Sequence, residues 1–201
     1  MSTKVENRYN RACLDMDGTV ADFDQAMQKA LVSLMGPGES LEDNIRERED
    51  SLPYMKARRS MIKRLPGFWA TLPRIEDGFK VLKMLDDEDF ITSILTKAPK
   101  SIGAAYQEKW IWLKEHPETE ERPIMMVEEK HLVYGRILVD DWPEYYFPWL
   151  EARPRGCVIA IKQEWNKDTK HPRLCIYDGT NDDEVRHFIR EAKKEVPTYR
   201  W

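Results

Sequence analysis

The sequence contains no run of apolar residues that approaches the ~18 needed to span a bilayer, and its polar start, MSTKVENRYN, lacks the apolar core of a signal peptide. Cysteine is scarce: Cys13, Cys157 and Cys175 all lie in apolar, strand-like runs. An odd number of such cysteines is typical of reduced thiols in a core rather than of a disulfide framework. From these absences we expect a cytoplasmic protein that neither spans nor binds a membrane.

The sequence also lacks an excess of basic residues. It has 32 Lys and Arg against 36 Asp and Glu among 201 residues, for a formal net charge of -4. Proteins that bind long nucleic acids usually carry a basic excess, so we expect no long nucleic-acid partner. The length fits one domain, or one domain with a small insertion.

What the sequence does contain is a regular alternation of short apolar runs and helical patterns. Strands are predicted over residues 11–15, 90–95, 124–127, 137–139, 157–161 and 174–177. Helices are predicted over residues 24–35, 41–49, 53–63, 75–86, 101–115, from Pro143 onward, and 182–195. Unbroken apolar strands that alternate with helices indicate an α/β fold with a parallel sheet covered on both faces.

Residues 24–66 carry helical patterns without a strand and are rich in charge. They are predicted to form a helical insertion after the first strand, with residues 1–23 and 67–201 forming the core domain.

Acidic residues follow two of the predicted strands. Asp15 and Asp17 flank one apolar residue at the end of the first strand, and Gly18 allows a tight turn after them. Two carboxylates rarely lie this close at a buried strand end without a cation or a shared proton between them. Asp140 and Thr96 also follow strands, and the carboxyl ends of parallel strands are where ligands bind. These residues are therefore expected to share one site.

This set of residue types suits the hydrolysis of a phosphate monoester, which needs a nucleophile, a proton donor and positive charge. Asp15 can be the nucleophile, and Asp17 can protonate the leaving oxygen and later activate water. Asp140 can complete a magnesium site with Asp15 and the backbone carbonyl of Asp17. Thr96 can donate a hydrogen bond to the phosphate, and Lys130 can supply fixed positive charge.

Each of these residues also has a plain structural interpretation. Asp15-Met16-Asp17-Gly18 could be a solvated surface turn, and Asp140-Asp141 could cap a helix. Lys130 could form an ordinary ion pair, which contributes little at a surface. The same holds for three residues of the motifs described next: Lys109 could be an exposed helical lysine, and Phe68-Trp69 could belong to the core.

The ordered motifs resemble those of the haloacid-dehalogenase superfamily and, within it, the 5'(3')-deoxyribonucleotidases. The residues that carry the resemblance are Asp15-Met16-Asp17-Gly18-Thr19-Val20, then Thr96, then Lys130, then Asp140-Asp141. Pro66-Gly67-Phe68-Trp69 also resembles the segment that follows the helical cap of these enzymes, and Glu108-Lys109-Trp110 resembles a helix whose lysine reaches the phosphate. Two positions depart from the pattern: Glu128 replaces an arginine, and Lys97 replaces a small hydroxyl residue.

The resemblance implies a Rossmann-like core with a small helical cap at residues 24–66. It also implies Mg²⁺-dependent hydrolysis of a (deoxy)nucleoside monophosphate through an aspartyl-phosphate. The implied roles are nucleophile (Asp15), acid/base (Asp17), phosphate contacts (Thr96, Lys109, Lys130), metal ligand (Asp140, with Asp15 and Asp17), supporting carboxylate (Asp141), and packing around base and sugar (Phe23, Phe68, Trp69).

Three alternatives stay open for the function, and a homodimer stays open for the assembly. The enzyme could act on another small phosphomonoester or on a nucleic-acid 3' phosphate. A receiver-like phospho-acceptor module uses a similar acidic pocket, but it places its aspartate on a middle strand and has no helical insertion after the first strand. We therefore expect a small nucleotide as the partner.

Overall fold

The computed structural model describes residues 10–39 and 53–194, and its centre is a six-stranded sheet in which every pairing is parallel. The strands are β1 (Arg11–Leu14), β2 (Ile91–Thr96), β3 (Ile124–Met126), β4 (Ile137–Val139), β5 (Cys157–Ile161) and β6 (Leu174–Tyr177). They lie in the order β3-β2-β1-β4-β5-β6, so β2 and β4 are the two neighbours of β1. The predicted α/β fold with a parallel sheet is confirmed.

Helices connect most of the strands. They are α1 (Phe23–Val32), α2 (Pro53–Ile62), α3 (Glu76–Asp87), α4 (Gly103–Lys114), α5 (Pro117–Glu120), α6 (Pro143–Ala152) and α7 (Asp182–Lys194), with short 3₁₀ turns at Trp69–Thr71 and Lys130–Leu132. The predicted helix over residues 41–49 lies outside the described residues. Within the described residues, no helix is both long and apolar enough to cross a membrane.

The chain divides into two compact units. The first, here called the sheet unit, comprises the described parts of Met1–Val20, Ile75–Lys97 and Glu121–Trp201. The second, here called the helical unit, comprises the described parts of Ala21–Arg74 together with Ala98–Glu120. The domain boundaries expected from the sequence, with a cap at residues 24–66, stay a prediction.

In the sheet unit, both faces of the sheet are buried. Cys13, Leu138 and Val158 are register partners on one face, where they pack with Tyr146 and Trp149 of α6. The alternate residues Leu14, Val139 and Ile159 point to the other face and are also inaccessible to solvent. Strands that are covered on both sides need apolar residues at every position, which explains the unbroken apolar runs.

In the helical unit, the side chain of Glu108 on α4 organises the segment before the first 3₁₀ turn. Its two carboxylate oxygens accept the backbone N–H groups of Gly67 at 2.8 Å and Trp69 at 3.0 Å. Trp112, one turn further along α4, donates from Nε1 to the Leu72 carbonyl at 2.8 Å. These bonds satisfy backbone groups that a loop would otherwise bury unpaired.

Two predicted boundaries are wrong in detail. Helix α4 is predicted to begin at residue 101 but begins at Gly103, and its N-cap, Ile102, makes no side-chain hydrogen bond. The Ser101 carbonyl and hydroxyl instead accept from the Arg64 guanidinium. Thr96 was expected after β2 but is its last residue, because pairing with Met126 of β3 extends the strand.

Candidate active site

The backbones of Asp15 and Asp140 are fixed by the ends of the sheet. The Asp15 N–H donates to the Val139 carbonyl at 2.9 Å, and the Asp140 N–H donates to the Ile159 carbonyl at 3.2 Å. Both residues therefore continue the hydrogen bonding of their strands at one edge of the sheet. Asp15 is 4% exposed and Asp140 is inaccessible, so the surface-turn interpretation of the first motif is wrong.

Lys130 connects the two aspartates. It lies in the 3₁₀ turn after β3, and its Nζ atom is 2.7 Å from Oδ1 of Asp15 and 2.7 Å from Oδ2 of Asp140. All three side chains are buried, so water screens these ion pairs far less than it screens surface pairs. Residues that are distant in the sequence thus converge at the strand ends.

The burial of these charges alters their protonation. Burial raises the pKa of the Asp140 carboxyl to about 6, with Lys130 opposing the shift and Asp15 adding to it. Burial also raises the pKa of Asp141 well above its ordinary value, and the charges of Asp140 and Asp15 add to that effect. For Lys130, burial favours loss of the proton, but Asp140 and Asp15 outweigh it and raise the pKa. The ammonium form of Lys130 is therefore secure at neutral pH.

Gly18 lies directly against the carboxylate of Asp141. Its φ angle is +77°, and a Cβ atom added at this position would lie 2.3 Å from Oδ2 of Asp141. Any other residue would have to adopt an unfavourable backbone conformation and displace a buried carboxylate. The glycine of the first motif is thus required both by the turn and by the close packing of Asp141.

Three of the carboxylates can hold a cation. Asp15, Asp140 and Asp141 each offer one oxygen, and these oxygens lie within 4.8 Å of one another. Buried carboxylate oxygens are the ligands that Mg²⁺ prefers, so the donor set fits the metal that the sequence predicts. Asp17 lies half-buried in the turn after β1, and the predicted role of its backbone carbonyl as a ligand stays a prediction.

A segment after β5 braces this site, although no motif in the sequence marks it. The amide of Asn166 donates to the carbonyls of Asp141 and Ile161, both at 2.8 Å, and its oxygen accepts the Gln163 N–H at 2.9 Å. Trp165 Nε1 also donates to the Asp141 carbonyl, at 3.0 Å. The side chain of Gln163 donates to the Gly18 carbonyl at 3.0 Å. The only sequence signal for these residues is their position after the carboxyl end of a strand.

Thr96 lies at the same edge of the sheet as Asp15. The register of β1 and β2 pairs Leu14 with Ile94, so the two residues follow paired positions on neighbouring strands. Thr96 is inaccessible to solvent, and its carbonyl accepts the Val127 N–H at 3.0 Å. Its expected contact with a phosphate stays a prediction.

The remaining predicted residues belong to the helical unit, where they form an aromatic cluster. Phe23 stacks on Trp69 with ring centroids 5.2 Å apart, and Phe68 meets both rings edge-on. Lys109 is inaccessible to solvent, and its Nζ atom is 4.9 Å from the Trp69 ring centroid. The interpretation of Lys109 as an exposed helical lysine is therefore wrong, whereas the predicted roles of these four residues in substrate binding stay predictions.

Comparison with known protein families assigns the chain. A model of the family described as 5' nucleotidase, deoxy (pyrimidine), cytosolic type C protein matches residues 11–191. The chain belongs to this family. The match spans every strand and the whole candidate site, and it confirms the resemblance seen in the sequence. None of the curated proteins matches it in a direct search.

Solved structures support the fold of this nucleotidase-family chain. A haloacid dehalogenase-like hydrolase from Burkholderia xenovorans is 14% identical with a TM-score of 0.54, over 88% of this chain and 95% of that one. A protein from Thermotoga maritima assigned as a β-phosphoglucomutase is 13% identical with a TM-score of 0.53, over 90% and 99%. At such low identity these likenesses speak for the fold alone. The family match makes this chain a hydrolase that acts on phosphoric monoesters, and its fold resembles that of a haloacid dehalogenase-like hydrolase.

Proposed function

We propose that this protein is a Mg²⁺-dependent phosphatase that hydrolyses (deoxy)nucleoside monophosphates to a nucleoside and phosphate through an aspartyl-phosphate. The observation that carries the proposal is the ammonium group of Lys130, 2.7 Å from both Asp15 and Asp140 at the strand ends. A buried carboxylate held by a fixed cation is oriented for attack on a phosphoryl group.

In the first step, an Oδ atom of Asp15 attacks phosphorus opposite the leaving oxygen. The Oδ–P bond forms, the P–O bond to the nucleoside breaks, and Asp17 gives its proton to the leaving oxygen. Lys130 holds the Asp15 carboxylate in place and offsets the negative charge that gathers around the phosphoryl group.

In the second step, water attacks the phosphorus of the acyl phosphate. Asp17, now ionised, accepts a proton from that water, the bond between phosphorus and Asp15 breaks, and inorganic phosphate leaves. Asp17 thus acts first as an acid and then as a base, which requires it to alternate between its two forms near neutral pH.

A divalent cation bound by Asp15, Asp140 and the backbone carbonyl of Asp17, with Asp141 as the supporting carboxylate beside them, would reduce the repulsion between the anionic nucleophile and the anionic substrate. The chain itself supplies three buried carboxylates and one ammonium group there, which leaves a net negative charge for the cation to neutralise. Asp141 also packs against Gly18, so it holds the first motif beside the metal ligands.

The nucleotide part of the proposal is supported by the family description, which names a deoxy (pyrimidine) 5' nucleotidase of the cytosolic type. Phe23, Phe68 and Trp69 offer aromatic surface of the kind on which a base can stack, and stacking discriminates only weakly between bases. Lys109 and Thr96 are the proposed phosphate contacts. Cytoplasmic location belongs to this proposal, while a homodimer stays a prediction.

The test is a phosphate-release assay over a panel of nucleoside monophosphates, with and without a chelator. We expect turnover that a chelator abolishes and Mg²⁺ restores. Asp15→Asn should reduce the rate by more than about a thousandfold, because it removes the nucleophile, while circular dichroism shows an unchanged fold. An Asp15→Asn variant that turned over near the wild-type rate would contradict the assignment.

The alternatives give different results in the same assay. A phosphatase for other small phosphomonoesters would favour sugar phosphates over the whole nucleotide panel, and a 3' phosphatase would favour oligonucleotide ends. A phospho-acceptor module would release about one equivalent and stop. The position of Asp15 after β1 and the family match favour the nucleotidase.

A further inference from the structure

Lys97 follows the last residue of β2, and its side chain lies against an aromatic ring on another element. Its Nζ atom is 4.9 Å from the centroid of the Tyr145 ring. Tyr145 lies in the first turn of α6, which follows β4. Because β2 and β4 are the two neighbours of β1, Lys97 and Tyr145 lie in the segments that follow the strands on either side of the strand that leads to Asp15.

The same ring also contacts the cation of the candidate active site. Nζ of Lys130 is 5.0 Å from the Tyr145 centroid and 2.7 Å from Oδ1 of Asp15. The Tyr145 ring therefore contacts the ammonium groups of two lysines, and that of Lys130 also contacts the proposed nucleophile, Asp15. Lys130 is buried, whereas Lys97 is only half-buried and can be reached from solvent.

The position of the Tyr145 ring depends on the site itself. Oδ1 of Asp140 accepts the Trp142 N–H at 2.9 Å, and the Trp142 carbonyl accepts the Tyr145 N–H at 3.0 Å. The carboxylate of Asp140 thus fixes the start of α6, and with it the ring that holds Lys97. The Lys97–Tyr145 contact is built on the same framework as the proposed metal site.

The charges around Asp15 indicate a role for Lys97 in attracting an anionic substrate. Asp15, Asp140 and Asp141 bring three carboxylates to the strand ends, and Lys130 forms ion pairs with two of them. With the proposed divalent cation bound, the three carboxylates, the cation and Lys130 together carry no net positive charge that would attract a phosphate dianion toward Asp15. A second ammonium group at the edge of the site would attract the dianion, and a partly buried position limits screening by salt.

We propose that Lys97 is a substrate-binding residue that donates to the non-bridging oxygens of the phosphoryl group as it approaches Asp15, with Tyr145 as its positioning residue. The ligand is a phosphomonoester dianion, and the product, inorganic phosphate, shares the same recognised group. The inference rests on the proposed function for turnover, but the binding of phosphate can be measured without turnover.

The main test compares Lys97→Gln with Lys83→Gln in the full-length protein with Mg²⁺. Lys83 is an exposed lysine of α3 that pairs with Asp87, so its substitution changes the net charge equally at a remote place. For Lys97→Gln we expect about a tenfold rise in KM for both p-nitrophenyl phosphate and a nucleoside monophosphate, with kcat changed less than threefold. The dissociation constant of inorganic phosphate, measured by calorimetry, should rise by about the same factor. Lys83→Gln should change none of these more than twofold.

A second pair of variants tests the role of the ring. Tyr145→Leu removes the aromatic face and should raise KM and weaken phosphate binding, although less than Lys97→Gln does. Tyr145→Phe keeps the face and should recover most of the loss. A purely structural role for Tyr145 would instead lower the melting temperature or kcat without a selective effect on KM.

The outcomes separate this inference from the proposed function. If the wild type hydrolysed no phosphomonoester, the proposed function would fail, yet the calorimetric comparison would still decide the role of Lys97. If Lys97→Gln bound phosphate as tightly as Lys83→Gln does, the inference would be wrong. It would also be wrong if Lys97→Gln affected the nucleotide alone, because the contact would then lie outside the phosphoryl group.

Discussion

Lys130 shows how a single residue couples stability to chemistry. Its ammonium group makes two ion pairs, and because Asp15 and Asp140 are buried, water cannot take the place of Lys130 beside them. Removing one member of a buried ion pair leaves the other charge uncompensated and typically costs about 3–5 kcal/mol. A substitution of Lys130 by an uncharged residue also removes the cation beside the proposed nucleophile, Asp15.

We therefore predict that Lys130→Met lowers the free energy of unfolding by about 3–5 kcal/mol in metal-free buffer at pH 8 and abolishes phosphate release. The pKa of Asp140 is already raised to about 6 by burial, and loss of the cation raises it further. When folding raises the pKa of a carboxyl group, the protein loses stability as the pH rises from the pKa of the unfolded state to that of the folded state. The variant should therefore lose more stability than the wild type between pH 5 and pH 8, as urea denaturation will measure.

The control for this prediction is Lys80→Met, which removes an exposed lysine paired with Asp77. Exposed pairs contribute little, so its stability should stay within about 1 kcal/mol of the wild type. Equal stability and an equal pH dependence for Lys130→Met would mean that the two ion pairs do not hold the strand ends together.

Among the secondary-structure elements, the residue positions that depend on strand patterns can be predicted from the sequence, whereas the contacts made by loop residues cannot. The position of Asp15 and Asp140 follows from apolar runs, because parallel strands bring their carboxyl ends to one edge. The helix start after Ser101 was misplaced, because the hydroxyl is engaged by Arg64 rather than by the backbone. No residue pattern indicates that Asn166 donates both to the carbonyl of Ile161, nearby in the sequence, and to that of Asp141 on a distant segment.

Asn166 provides the prediction for the bracing segment after β5. Asn166→Ala leaves the buried carbonyl of Ile161 and the N–H of Gln163 without these hydrogen bonds, which should cost about 1–3 kcal/mol for each group. Because the Asp141 carbonyl also loses one of its two donors, we expect the Mg²⁺ concentration for half-maximal activity to rise severalfold. Activity titrations with Mg²⁺ and urea denaturation will measure the two effects.

Gln163→Met is the matched variant for the same segment. It removes the side-chain bond to Gly18 but leaves the contacts of Asn166 in place, so its effect on stability should be smaller. If Asn166→Ala lost stability but kept the wild-type requirement for Mg²⁺, the segment would brace the fold without orienting the carboxylates.

For the whole molecule, the clustered carboxylates link metal binding to global stability. Asp15, Asp140 and Asp141 are buried close together, and the raised pKa values of Asp140 and Asp141 reflect the cost of ionising them without a cation. A cation that binds only the folded state stabilises it by about 2.7 kcal/mol at a hundredfold excess over its dissociation constant. For a chain of this length, that corresponds to roughly 5–10 °C in melting temperature.

We predict that the melting temperature rises with Mg²⁺ until the site saturates, and that a chelator reverses the rise. Asp140→Asn should remove most of this dependence, because it replaces a charged ligand by a neutral amide. The comparison is made within each variant, with and without Mg²⁺, because Asp140→Asn also removes one of the two buried ion pairs of Lys130 and so changes the stability of the metal-free protein. Calorimetric or fluorescence-detected melting in matched ionic strength will measure both effects, and a Mg²⁺-dependent shift in Asp140→Asn equal to that of the wild type would place the metal elsewhere.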